Sequence, residues 1–298
     1  MGVDKEFVGL VPPKDQEPPA DYNKAPAGFH NMVRNQLTIT TWLCLGAIAQ
    51  GVLFLAVGRL ALAPAVLVVA YKVLLTYAQV VGWVRNPLMD DVIMKKFSAQ
   101  IPDASGHYGS KPADNDIVVL LIGARSHHPL GIFGPGFKEL GDYFDSMAKN
   151  LDKHSEDFAF LGMTAWANTG DSKTCPEILS VGYFRNVEGL HKFAHSEHHM
   201  GGWNWWNKDL AKMPHISIYH EIYHAPPGNW ESIYVNSRAT GVNSIKSRFT
   251  DEETGQTKWA SPIVDASRGL LKTSAGRMSR SQADVHEKLG IADPYGKQ

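Results

Sequence analysis

His215–His224, HISIYHEIYH, is the stretch on which the reading of this chain turns. Within it, His220-Glu221-Ile222-Tyr223-His224 spells a literal H-E-x-x-H. On a helix the two imidazoles of that motif share a face and can meet at one zinc ion. On a strand, rising about 3.3 Å per residue, they stand roughly 13 Å apart. Ile and Tyr alternate through the stretch and Pro226–Pro227 ends it, both strand signals. We read it as the last strand of a domain, which sets zinc-protease chemistry aside. Alternation then places Ser217, Tyr219, Glu221 and Tyr223 on one face and Ile216, Ile218 and Ile222 on the other.

Upstream, Asp116–Ala124 (DIVVLLIGA) is a continuous apolar run of strand length, rich in β-branched residues. Gly134-Pro135-Gly136 breaks the chain. Phe137, Leu140, Phe144, Met147 and Leu151 then recur at helical spacing. Phe158–Trp166 and Ile178–Arg185 read as strands joined by a polar Asn168–Pro176 connection. Val187–Met213 has a helical pattern, expected to break near Gly201–Gly202. The order β-α-β-β-α-β is the ferredoxin-like split unit, so an α+β domain is expected over residues 115–237. Both helices of that unit lie on one sheet face. The first strand is apolar on both of its faces and wants cover on both. The isoleucines of the last strand should therefore pack on the helices, and its Tyr/Glu face should line a cavity closed by a second copy of the chain. A merely solvated polar face is the competing reading.

Ahead of this domain the composition changes. Leu37–Val57 carries no charge, and Leu60–Val84 is a second apolar run interrupted by Pro64 and Lys72. A membrane-spanning helix needs about 20 such residues. Only Gly58 and Arg59 separate the runs, so a transmembrane helical hairpin is expected over 37–84. Arg34 precedes it, and Arg85, Lys95 and Lys96 follow, which puts both flanks and the catalytic domain in the cytosol. Lys72 must snorkel or face the partner helix. A re-entrant second segment and a buried hairpin of a soluble protein stay open as alternatives. Residues 1–36, with five prolines at 12, 13, 18, 19 and 26, read as a disordered arm and not as a signal peptide. Residues 85–114 read as a polar linker, and 238–298, rich in Ser, Thr, Lys and Arg, as a mostly disordered tail.

Charge balance, 29 basic against 30 acidic residues, gives no sign of a nucleic-acid partner. Two cysteines, Cys44 in an apolar run and Cys175 in a polar turn, do not make a disulfide scaffold. Three constellations could carry chemistry. Glu221 between Tyr219 and Tyr223 is a candidate acid/base or substrate-orienting group. His191, His195, His198 and His199, beside Trp203, Trp205 and Trp206, suggest the mouth of a pocket, against a solvated polar face as the plainer reading. Arg125-Ser126-His127-His128-Pro129-Leu130-Gly131 follows the first strand, and a loop at a strand end is a natural substrate contact. Arg125, His127, His128 and Trp203 are the substrate-binding candidates.

The segments GARSHHPLGIFGPGFKELGDYFDSM, LSVGYFRNVEGLHKFAHSEHHMGGWNWW and HEIYHAPPGNWESIYVN resemble the monooxygenase-like proteins of fungal and bacterial secondary-metabolite clusters, typified by the monooxygenase of fumagillin biosynthesis. The resemblance covers about Ile117 to Gly241. More distantly the domain is similar to antibiotic-biosynthesis monooxygenases and heme-containing aldoxime dehydratases, both dimeric α+β barrels. It implies a homodimer that oxidises a hydrophobic, terpenoid- or polyketide-like small molecule with O₂. The heme-binding members of the wider group end their second helix with His-x-x-His, which falls on His195-Ser196-Glu197-His198 and makes His198 the implied proximal ligand. Cofactor-free members activate O₂ through the substrate itself. The resemblance leaves two further readings open, a heme-dependent aldoxime dehydratase or lyase and a non-catalytic membrane-bound small-molecule binder.

Overall fold

In a computed structural model, residues 6–18, 25–170 and 173–279 are described. Three helices lead: α1 (Ala25–Arg34), α2 (Ile39–Val57) and, after a 3-10 turn at Gly58–Leu62, α3 (Ala63–Val80). Strand β1 (Ile93–Ala99) follows, then β2 (Ile117–Ser126), α4 (Phe137–Lys153), β3 (Phe160–Ala167), β4 (Ile178–Phe184), α5 (Val187–Ala194), α6 (Glu197–Asp209) and β5 (Ile216–Ala225). The chain ends in short elements: β6 (Tyr234–Ser237), β7 (Ser247–Thr250), β8 (Thr257–Ala260), β9 (Ile263–Asp265) and α7 (Ser274–Arg277).

Four strands form an antiparallel sheet in the order β3-β4-β2-β5. Because β2 and β3 are joined through α4 with β4 inserted between them, this is the split unit expected from the strand order. Register fixes the two faces. Val118, Met163 and Phe184 point toward α4 and α5, where they join Ala148, Leu151, Leu190 and Phe193 in the main core. The opposite face carries Val119, Leu121 and Gly123 on β2, Leu179, Val181 and Tyr183 on β4, Thr164 and Trp166 on β3, and Tyr219, Glu221 and Tyr223 on β5. A bulge between Phe160 and Gly162 lets Phe160 join the main core while Leu161 points the other way.

Several sequence expectations need correction. The 85–114 linker contains β1, which pairs with β6 on one side and β9 on the other. The 238–298 tail is ordered structure as far as it is described: Ile263, Val264, Ala266 and Leu271 are buried. Arg277, only 1% exposed, pairs with Glu231 and donates to the carbonyls of Leu271 and Lys272. In the N-terminal arm, Gly9 and Lys14 bridge to Val264 and Trp259, and α1 occupies 25–34. Residues 1–5, 19–24 and 280–298 of the expected arm and tail lie outside the described residues. These segments escaped the reading because their strands are three to seven residues long, and β1 and β9 pair only with segments distant in sequence.

The second helical pattern breaks at His195–Ser196 and not at the glycines. Gly202 sits inside α6, where a Cβ would come within 2.4 Å of the Met147 methyl group on α4. It is a contact glycine, not a breaker. The isoleucines of β5 also differ from expectation. Ile216 is buried, but Ile222 is 39% exposed, because β5 is an edge strand that the helices do not reach along its length.

Among the described residues, Ile39–Val80 taken through its turn is the one helical stretch long and apolar enough to cross a membrane, by length and composition. Two separate spans are not shown.

Candidate active site

The sheet face turned away from the helices is closed at one end only. There Ala99, Ile101, Val242 and Ile245 cover Ile117 and Leu161, with Tyr183, Ala225 and Trp230 packed against them. At the other end the face stays open as a cavity of about 390 Å³ lined by Trp166, Ala167, Asn168, Glu177, Leu179 and Val181. Its floor is apolar and its rim carries the polar groups, the composition of a small-molecule site.

Cross-strand register builds the rim. Tyr219 pairs with Gly123, where a Cβ would lie 2.4 Å from the tyrosine ring, so the missing side chain lets that ring lie flat over β2. From there the Tyr219 hydroxyl donates to Glu177 Oε1 at 2.6 Å. That bond raises the phenol pKa to about 12, because losing the proton would set an anion against a carboxylate. Four residues along, the Tyr223 hydroxyl donates to Glu221 Oε2 at 2.5 Å, which raises that phenol as well. Trp166 Nε1 donates to the buried Thr164 hydroxyl at 2.9 Å, fixing the indole over the cavity. Two carboxylates, each holding a phenol, thus stand on this face: Glu177 lines the apolar depression, and Glu221 lies across β2 from it on β5. Such a pair can accept a proton from a substrate hydroxyl or acidic C–H, or hold a carbonyl through the phenol.

The structure brings Glu221, Tyr219 and Tyr223 together as the alternation implied. Arg125 lies on the same face, opposite Ser217 at the open end. Glu177 and Trp166 were not singled out from the sequence. The one signal for them was their position flanking the polar connection between two strands.

The histidines are placed elsewhere. His198 stacks on His154 at 5.3 Å between ring centroids and packs edge-on against Phe158, which belongs to the core on the helix side of the sheet. It does not aim at the cavity, because the chain breaks just before it and α6 turns it toward the end of α4. It stacks on His154 with Phe158 alongside, on the side of the sheet away from the cavity, so a group held by His198 would not reach the cavity. His199 lies between Phe193 and Trp203. Burial, with His220 and His195 nearby, holds its pKa below the usual histidine value despite a backbone hydrogen bond to Ala194. Trp203 is exposed beside it, also on the helix side. His127 is exposed, and His128 spends its Nδ1 on the Leu130 amide while its ring meets His215, so both serve the turn. His220 and His224 lie on strand β5, where His224 Nε2 meets Asp116 Oδ1 at 2.8 Å. No group of three metal-ligating side chains occurs among the described residues.

Residues 117–242 match the family model described as Monooxygenase af470-like. Monooxygenase af470 of Aspergillus fumigatus is 29% identical over 247 residues, spanning 83% of this chain and 89% of that protein. Among solved structures, an aldoxime dehydratase overlaps with a TM-score of 0.36 at 15% identity, over 49% of this chain and 43% of that one. SnoaB of Streptomyces nogalater, a cofactor-independent oxygenase, overlaps with a TM-score of 0.25 at 11% identity, over 36% of this chain and 91% of its own. Structural overlaps this weak carry no argument about the reaction.

Proposed function

We infer, from the match of residues 117–242 to the monooxygenase af470-like family model, that this chain is an oxidoreductase of the monooxygenase class. Its substrate is a hydrophobic natural-product intermediate, terpenoid- or polyketide-like, and its site is the open sheet face. The observation that carries the site is the apolar cavity lined by Glu177, which holds the Tyr219 phenol, with the Glu221–Tyr223 pair on the same sheet face. In this reading Val181, Leu179 and Trp166 hold the apolar body of the substrate. Tyr219 and Tyr223 orient its oxygen function, and Glu177 and Glu221 take up or return a proton. A second copy of the chain covers the face and excludes water.

The apolar helices form a membrane hairpin in this reading, with the catalytic domain on the cytosolic side. Gln50 Nε2 donates to the Ala61 carbonyl at 2.8 Å. Eleven residues of straight helix would hold those groups about 16 Å apart, so the chain doubles back at the turn. Both roots are tied to the domain: Gln36 Oε1 accepts from the Ile132 amide, and Arg238 donates to the carbonyls of Pro87 and Leu88.

The test is product formation in a host supplied with terpenoid and polyketide precursors under ¹⁸O₂. One labelled oxygen should enter a product, and the yield should fall at least tenfold in Glu221→Gln and Glu177→Gln, the scale of a lost general base being about 10²–10⁴. An absorbance band near 400 nm in the purified protein would bring back a heme enzyme. Tight binding of a precursor with no turnover would make the chain a membrane-bound binder.

A further inference from the structure

The cavity and the apolar helices meet at one end of the molecule. Asn168 and Glu177, at the two ends of one connection, rim the cavity, and the Asn168 amide donates to the Glu177 carbonyl at 2.9 Å. Cys175, in that connection, donates its amide to the Asn35 carbonyl at 3.0 Å and its thiol to Gln36 Oε1 at 3.4 Å. Gln36 Oε1 also accepts from the Ile132 amide at 3.1 Å. Asn35 and Gln36 lie only three or four residues ahead of α2. The cavity rim, the 130–133 loop and the root of the apolar hairpin are therefore one bonded assembly.

What that loop shows to solvent is apolar. Leu130 and Phe133 are each 60% exposed, and Trp166 on the rim is 48% exposed. At the other root, Leu88 is 77% exposed. Tryptophans mark the same level: Trp42 Nε1 donates to the Arg34 carbonyl, and Trp83 stands edge-on to Tyr77 where α3 ends. Indoles at helix ends, with an arginine at each flank, are the pattern of a membrane–water interface. The far end of the cavity face, by contrast, is sealed by Ala99, Ile101, Val242 and Ile245.

We propose that Leu130, Phe133 and Trp166 sit in the interfacial layer of the bilayer and that the cavity opens onto lipid, so that an apolar substrate enters sideways from the membrane. The proposal rests on the membrane reading of the hairpin and deepens it. A ligand that partitions into lipid reaches this mouth without crossing water. The Glu177–Tyr219 pair stands where such a ligand's polar end would remain at headgroup depth.

The experiment uses the full chain in phosphatidylcholine vesicles, with Cys44 and Cys175 replaced by serine and a single environment-sensitive fluorophore placed by Leu130→Cys, Phe133→Cys, Leu55→Cys or Glu253→Cys. Leu55, 88% exposed, reports the hairpin; Glu253 lies in the exposed, charged turn between β7 and β8. Doxyl-labelled lipid should dim probes at 130, 133 and 55 and leave 253 bright, while aqueous iodide does the reverse. Lipid quenching at 55 but not at 130 or 133 would overturn the proposal and leave the hairpin standing. No lipid quenching at 55 would overturn both. Brominated lipid acting on the unlabelled protein gives a reading independent of the cysteine substitutions: the emission quenched in wild type and missing from Trp166→Phe must be present if the rim touches lipid, and its absence refutes the seating.

Discussion

At the residue scale, Gly123 and Tyr219 show how a short side chain places a long one. Adding a methyl group in Gly123→Ala should push the Tyr219 ring off β2 and break its bond to Glu177. Titrating tyrosine absorbance, with Tyr219→Phe as the reference, should show this phenol titrating near 12 in wild type and closer to 10 in Gly123→Ala or Glu177→Gln. An unchanged titration would mean that the bond does not form. His199 gives a prediction of opposite chemistry. Burial lowers its folded pKa, so between that value and about 6.5 the unfolded chain binds more protons than the folded one. Its contribution to stability is present above the unfolded pKa and is lost as pH falls through this window. Wild type in detergent should thus lose more melting temperature between pH 7.5 and 5 than His199→Gln does. Equal losses would place the ring in solvent. None of this was legible in the sequence, where His199 was one of four histidines at helical spacing and nothing marked which of them the helix break would bury.

At the element scale, the long elements were legible and the short ones were not. Strands β2 to β5 and helix α4 run seven to seventeen residues, long enough to read, and in α4 and β5 a clear period gave the faces as well. Strand β5 was separable from a zinc-binding helix because Ile and Tyr alternate through the H-E-x-x-H. With the two imidazoles about 13 Å apart on an extended chain, metal analysis should find no stoichiometric zinc that His220→Ala or His224→Ala removes. A tightly held zinc lost in either would contradict the strand. Strand β9 shows the opposite case. Its three residues have no period to read, yet they complete the sheet on β1 and bury Val264 fully. The segment after it is locked by Arg277 against Glu231. Arg277→Ala should therefore cost on the order of 3 kcal/mol, the scale of breaking a buried pair, and should open residues 262–279 to proteolysis. Wild-type resistance to protease in that variant would return the segment to the dispensable tail that its composition suggested.

At the scale of the whole molecule, the sheet face divides into a covered end and an open end, and this division argues for a partner. The elements flanking the 115–237 unit supply cover at one end through 99–101 and 242–245. Nothing among the described residues covers Glu221 or Tyr223 on this face, and Ile222, on the other face of the same ten-residue edge strand, is exposed as well. Such an edge, aromatic on one face and unpaired along its backbone, is a template for another chain. A helix-side core with a bare opposite face was legible from the order of the elements and the alternation of the last strand. That the bare face is half covered by the chain itself was not, because the covering residues come from segments without amphipathic period. The partial cover narrows where a second copy can sit, to the Tyr219–Tyr223 stretch and the cavity beside it. Light scattering in detergent, corrected for bound surfactant, should give twice the chain mass of 32.8 kDa. Tyr223→Arg with Ile222→Arg places like charges on facing copies and should reduce this to a single chain while leaving the far-ultraviolet dichroism unchanged. A wild-type monomer would refute the shared cavity and leave the site open to water on one side. A dimer that survives both arginines would move the interface to another face, and with it the cover over Glu221.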